Sequence, residues 1–352
     1  NRDGRDRSVL LKYPALLSPQ PPVFRDGMPV RLLLVVFGLV LYQAGCQLPG
    51  WKRPVSRPLA TSRQLCQQGL AAAERTDWLE AEKLFAKAVA SCPDDPDSHC
   101  HYAEALWRRG ERDAAVVQML EAGELAPKDA ALRVRIAEMQ RDLGHWDLSL
   151  QSAQVALTLD PKSPGAWAVL ARIKQARGMS REALADFQRS IQYNPTDGQV
   201  LFEIAALYLR LDQPQRALVT LQSLSDIYPP GEEPQHVLLL DGVICSALGR
   251  YDDAVARLTS ARLRGRPTAE ILYRLGEAEL AAGRPDRAVS AAREAIALDP
   301  GHEPSRELLG RVDLAAQPGE RTALAEAPAV TPEPFNLPAP DPKYSTTPST
   351  VD

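Results

Sequence analysis

The sequence predicts an all-α fold: a solenoid of about seven tandem 34-residue helix-turn-helix units, closed by a capping helix. Three observations carry that prediction. Prolines recur at 93, 127, 161, 195 and 229, in four consecutive steps of 34 residues. After a three-residue insertion, Glu232-Glu233-Pro234, the count resumes with Arg266 and Pro300. Small residues hold fixed places inside each period, and a helix-stopping glycine falls near its middle (Gly110, Gly144, Gly178, Gly249, Gly283). Self-similarity at such a period marks a stacked array, in which each unit buries its apolar face on the next.

Composition agrees. The 352 residues carry a net charge of −4, with 24% charged and 45% apolar side chains. That balance excludes a nucleic-acid binder driven by bulk charge, a wholly disordered chain and a polytopic membrane protein.

In chain order, residues 1–27 show no period and read as a disordered upstream extension. Met28 then opens a leader: Arg31, an apolar run from Leu32 to Tyr42, and the small pair Ala44-Gly45 before Cys46. The run is shorter than the roughly 20 residues a bilayer core requires, so 28–45 reads as a secretory signal. Residues 46–61 form a Pro- and basic-rich tether. The units follow at 62–95, 96–129, 130–163, 164–197, 198–231, 235–268 and 269–302.

Within a unit, position 8 holds Gly69, Ala103, Ala137, Ala171, Ala205, Gly242 and Gly276. Position 20 holds Ala81, Ala115, Ser149, Ala183, Ala217, Ala254 and Ala288, and position 27 is equally small except at Leu224. Two antiparallel helices that pack closely need small residues at their contact. Pro214 and Pro285 open second helices, where a missing N–H costs nothing. Trp78, Trp146 and Tyr251 share position 17 and are expected to pack within their repeats. Residues 303–315 read as a first helix without a partner, capping the last apolar face, and 316–352 as a disordered Pro-rich tail.

These units resemble the tetratricopeptide repeat, and the resemblance implies a right-handed superhelix whose first helices line a concave, partner-binding groove. Carrying that family's groove positions onto this chain gives Glu104, Trp107, Arg108, Glu138, Arg141, Arg172, Phe202, Leu209, Arg210, Leu239, Val243, Tyr273 and Glu277. The first half of this surface is mixed in charge and the second more apolar, as an extended or helical peptide would need. The alternative is that these side chains pack against neighbouring helices or a folded-back tail. The family's two-carboxylate clamp is not expected, because position 9 never holds Asn. Separately, Ala44-Gly45-Cys46 resembles the lipobox of bacterial lipoproteins, which implies acylation of Cys46 and a lipid-anchored address in the cell envelope. Gln43 departs from the usual Leu, and an ordinary cleaved signal, giving a secreted or periplasmic protein, or a signal anchor stays open.

Catalytic motifs are missing: no phosphate-binding glycine loop, nucleophile elbow or His-Glu-x-x-His pair occurs. His99, Cys100 and His101 are consecutive on a helix, so they point about 100° apart and cannot share one ion. Cys66 and Cys100 lie one helix spacing apart, too far for a disulfide, whereas Cys92 and Cys100 are geometrically open to one across a turn. Cys245 reads as a free, semi-buried thiol. No cofactor, metal, small-molecule substrate or nucleic acid is expected. The expectation is a non-enzymatic adaptor that binds a protein or peptide in its groove and serves envelope assembly or trafficking. The alternative is an accessory or regulatory subunit of an envelope enzyme.

Overall fold

The computed structural model describes residues 56–315, with side chains through residue 312. The upstream extension, the leader, Cys46, most of the tether and the tail lie outside the described residues. Fifteen helices follow one another, and no strand occurs among the described residues. They are α1 (Arg57–Glu74), α2 (Trp78–Ser91), α3 (Pro96–Arg109), α4 (Arg112–Leu125), α5 (Ala130–Asp142), α6 (Trp146–Leu159), α7 (Pro164–Ala176) and α8 (Ser180–Tyr193). The series continues with α9 (Gly198–Arg210), α10 (Pro214–Ser225), α11 (Gln235–Ala247), α12 (Tyr251–Arg264), α13 (Ala269–Ala281), α14 (Pro285–Leu298) and α15 (Glu303–Ala315). Odd-numbered helices are the first of each pair and even-numbered ones the second.

Helix α1 starts at Arg57, so residues 57–61 are helical and do not belong to the tether. The reason is local: Pro58 sits in the first turn, where its fixed φ favours the helix and its missing N–H is not needed.

The small-residue positions do what close packing requires. Every side chain at positions 20 and 27, from Ala81 and Ala88 to Ala288 and Ala295, is fully buried. The two serines in the series satisfy their hydroxyls on the facing first helix: Ser149 Oγ donates to the Ala137 carbonyl at 2.6 Å and Ser190 Oγ to the Pro164 carbonyl at 2.9 Å. Large apolar side chains such as Phe85, Met119, Phe187, Leu221 and Leu258 fill the space left between the helices.

Turns and caps follow the sequence with instructive exceptions. Position 15 adopts a left-handed φ in all seven units, including Thr76 (φ 61°) and Asp212 (φ 56°), where glycine is absent. At the other end of the unit, Asp129, Ser163, Asp197 and Thr268 cap the following first helix by accepting from its backbone N–H groups. Asp95 stands at the same position, but its carboxylate accepts from Ser62 and Ser98 side chains and ties α1 to α3. Leu308 and Val312 of α15 are buried against Tyr273, Ala288 and Ala292, so the unpaired helix covers the final apolar face.

Two expectations need correction. Trp146 and Tyr251 are 40% and 37% exposed, so at position 17, in the first turn of the second helix, they pack only in part. Cys92 and Cys100, left open to a disulfide, are free thiols; Cys66 and Cys245 are free as expected, but Cys245 is buried rather than half-covered.

The order of packing defines an inner layer. Beyond the pairs themselves, α1 packs on α3, α5 on α7, α9 on α11, α11 on α13 and α13 on α15. No equivalent packing joins successive second helices among the described residues. In a stack of helix pairs the layer whose members touch is the inner one, so the first helices present the groove side.

Candidate functional site

Position 9 on the inner layer places Glu104, Glu138, Arg172 and Glu277, and these residues are not isolated. The Glu104 carboxylate accepts from Arg135 Nε (2.5 Å) and Nη2 (2.9 Å), while Arg135 Nη1 donates to Glu138 at 3.1 Å. Arg172 Nε donates to both oxygens of Glu203, at 2.9 and 3.0 Å, and Gln199 donates to the same carboxylate at 3.1 Å. The charges therefore alternate along the first helices from the second repeat to the fifth. The pattern returns at the far end, where Arg274 bridges Glu270 and Glu277, and Glu277 also accepts from Arg311 of the capping helix.

Electrostatics lock this ladder. Burial pulls the Arg135 guanidinium down, but Glu104 and Glu138 more than offset it, and it stands above its ordinary value. Arg172, desolvated and held by Glu203, is raised in the same way. Arginines committed to such pairs have little charge left for a ligand. Arg210 differs: partial burial lowers its pKa, and no carboxylate pairs with it among the described residues.

The aromatic contribution is concentrated at Trp107. Its half-buried ring has two guanidinium groups over it, Arg112 at 5.3 Å and Arg135 at 5.9 Å from the centroid. Cation–π contacts of this kind fix the ring without hiding it. Arg108, exposed beside it, lies 5.6 Å over Trp78 of the preceding repeat.

The apolar half of the expected groove is placed differently. Phe202, Leu209, Leu239, Val243 and Tyr273 are all 7% exposed or less. The first four belong to one continuous core running from α7 to α14, and Tyr273 packs with α14 and α15. Phe202 meets His236 edge-on at 5.1 Å, and Tyr273 lies 5.7 Å from His302. Packing into these two core clusters covers all five side chains, so they support the inner layer and are not open contacts.

At position 12 of two successive repeats stand Arg141 and Gln175. Arg141 Nη2 is paired with Asp142 at 2.7 Å, yet its Nη1 is buried without a hydrogen-bond partner among the described residues, and so is Gln175 Oε1. One is a donor and the other an acceptor. Buried polar atoms are almost always partnered, so each orphan calls for an account.

Sequence reasoning missed Arg135, Glu203 and Arg274. All three are at position 6, one helical turn before position 9 on the same face. An i, i+3 search backward from each charged position 9 would have found Arg135 and Arg274. The tempting thiol–imidazole cluster has ordinary structural roles: His99 bridges Gln118 Oε1 and the Pro93 carbonyl, both at 2.9 Å, and His101 stacks on Phe85.

This architecture, tandem helix pairs with an inner layer carrying a charge ladder, is that of an α-helical repeat solenoid. Family models of the tetratricopeptide repeat match residues 66–129, 199–230 and 246–303. The Bacillus subtilis TPR repeat-containing protein YpiA is 21% identical over 238 residues, 67% of this chain and 55% of that one. The human general transcription factor 3C polypeptide 3 is 24% identical over 130 residues, 37% of this chain and 15% of the human protein. The chain thus spans about half or less of these relatives. A solved tetratricopeptide repeat protein from Parabacteroides merdae shares the fold, with a TM-score of 0.52 and 16% identity over 72% of this chain and 99% of that one.

Proposed function

We propose that the protein is a non-catalytic interaction scaffold that holds an extended segment of a partner protein along its first helices. Tetratricopeptide repeats generally mediate protein–protein interaction, and one observation supports a peptide as the ligand here: the half-buried Trp107 ring on the first-helix face, held by Arg112 and Arg135 and flanked by exposed Arg108. The unpaired Arg210 supplies a cationic contact further along the same layer. The lipobox-like Ala44-Gly45-Cys46 supports a lipid tether that puts this scaffold in the cell envelope, where it would serve assembly or trafficking.

Two experiments test the two halves. The paired change Trp107→Ala with Arg210→Ala removes both contacts, and circular dichroism should show the helical array still folded. On an array of extended 12-residue peptides the same variant should lose the peptides that the unaltered protein retains. Unchanged peptide retention would refute the first-helix reading. For the tether, intact mass of detergent-extracted protein should show a chain beginning at Cys46 with added acyl mass, absent from Cys46→Ser. An unacylated chain would remove the envelope address and leave the scaffold reading standing.

A further inference from the structure

Successive repeats are joined by four-residue links everywhere but one place: 92–95, 126–129, 160–163, 194–197, 265–268 and 299–302. Between α10 and α11 the link is nine residues, 226–234. Helix α10 has 12 residues where the other second helices have 14, and three residues are inserted behind it. The two changes together account for the extra five. At this break in the period a cavity of about 270 Å³ opens, lined by α10, α11, the start of α12 and the link itself.

Its chemistry is uneven. Leu221, Val237 and Leu238 give it an apolar floor. Among its charged groups, Asp241 is paired with Arg257 at 3.0 Å and Asp253 with Arg250 at 2.7 Å. Two carboxylates are left over, Asp226 at the end of α10 and Glu233 from the insertion, and neither has a cationic partner among the described residues. The cavity therefore combines an apolar wall with two uncompensated negative charges. It is smaller than the roughly 300–1,000 Å³ of a cofactor or drug site, and so is of a size for one long side chain.

We propose that this cavity is a second binding site, distinct from the first-helix groove, that receives a lysine or arginine side chain of a partner protein. The alkyl stem lies along Leu221, Val237 and Leu238, and the cationic head reaches Asp226 and Glu233. Long basic side chains bury their stems on apolar surface while their heads stay polar, which is the division this cavity offers. The cavity lies where the repeat is broken, and Glu233 belongs to the inserted residues.

The test uses the full array with methyl-labelled Leu and Val, and Nα-acetyl-lysine methylamide as probe. Saturable shifts of the Leu221, Val237 and Leu238 methyls are expected, with an affinity on the order of 1 mM for so small a ligand. Asp226→Asn with Glu233→Gln should weaken binding by about tenfold or more, the loss that follows when a charge-assisted hydrogen bond goes. Asp226 is exposed and Glu233 half-buried, and neither holds an ion pair among the described residues, so the melting temperature should stay as it is. The norleucine analogue, equal in stem and without charge, should leave the methyls unmoved. The proposal falls if norleucine binds equally, if the shifts never saturate, or if the double variant binds as the parent does. Binding of butylammonium without the capped lysine would also overturn it, since the ligand would then be a free amine.

Discussion

Replacing Gly242 by alanine is the sharpest probe of how the helix pairs are held. A Cβ built there stands 2.4 Å from Leu258 Cγ and 2.8 Å from its Cδ2, where ordinary contact begins at 3.4 Å. The overlap is about 1 Å, and Leu258 is fully buried between the fully buried Ala254 and Ala261, with no open side to move into. Overpacking of this kind costs about 1–3 kcal/mol, and a clash against a fixed branch point belongs at the upper end. Alanine in a helix interior returns about 1 kcal/mol over glycine. The net expectation is a loss of about 2 kcal/mol, or a melting temperature lower by roughly 4–8 °C in an array of this size. Gly310→Ala in α15 is the internal control, because nothing lies within 4 Å of its added Cβ, and it should stabilise by the propensity term alone. Thermal and urea unfolding followed by circular dichroism measure both variants. Stabilisation by Gly242→Ala equal to that by Gly310→Ala would refute the claim that position 8 is fixed by contact with the second helix. A companion Gly242→Ala/Leu258→Ala variant should be less damaged than the sum of its parts, since the second change removes the clash.

Two further outcomes follow from particular residues. Thr76 and Asp212 hold left-handed φ angles that cost an L-residue about 1–2 kcal/mol, so Thr76→Gly and Asp212→Gly should each raise the melting temperature, the β-branched Thr76 gaining more; no rise in either would show the turn geometry to be unstrained. Burial pushes the Cys245 thiol up to about 12, with Asp241 adding to it, so the unfolded chain loses that proton first as pH rises past about 9. Stability is then full below pH 9 and falls above it by up to about 1.4 kcal/mol per pH unit. A Cys245→Ala variant should show a flatter decline between pH 9 and 11 in urea titrations; parallel declines would refute the assignment.

How much of this was legible in the sequence depends on the kind of interaction. The repeat was, because a 34-residue period constrains backbone and small-residue packing locally: the prolines, the position 20 and 27 residues and the capping Asp and Ser each act within a turn or two. Left-handed φ at Thr76 was not legible, since threonine is a poor residue there and only the stacked neighbours enforce it. The charged groove positions were found in part. Glu104, Glu138 and Arg172 were named, but their partners Arg135 and Glu203 sit three residues off the position that was searched. Burial of Phe202, Leu239 and Tyr273 depends on neighbouring units joining into one core, which no single repeat encodes. The orphaned atoms of Arg141 and Gln175, and the cavity behind the Glu232–Pro234 insertion, are likewise properties of neighbouring units taken together.

The nine-residue link between α10 and α11 has a mechanical consequence. Beneath it the apolar core is unbroken, running from Ala168 to Ala291 through α9, α11 and α13. A protease that cuts the exposed stretch at Pro229–Glu232 would sever the covalent chain at its longest hinge while leaving that core in place. The two pieces, five repeats and two repeats with the cap, would stay clasped in native solution and part only in denaturant. Separately produced, they are candidates to find one another again, which makes this link a natural place to divide the protein into two complementing halves.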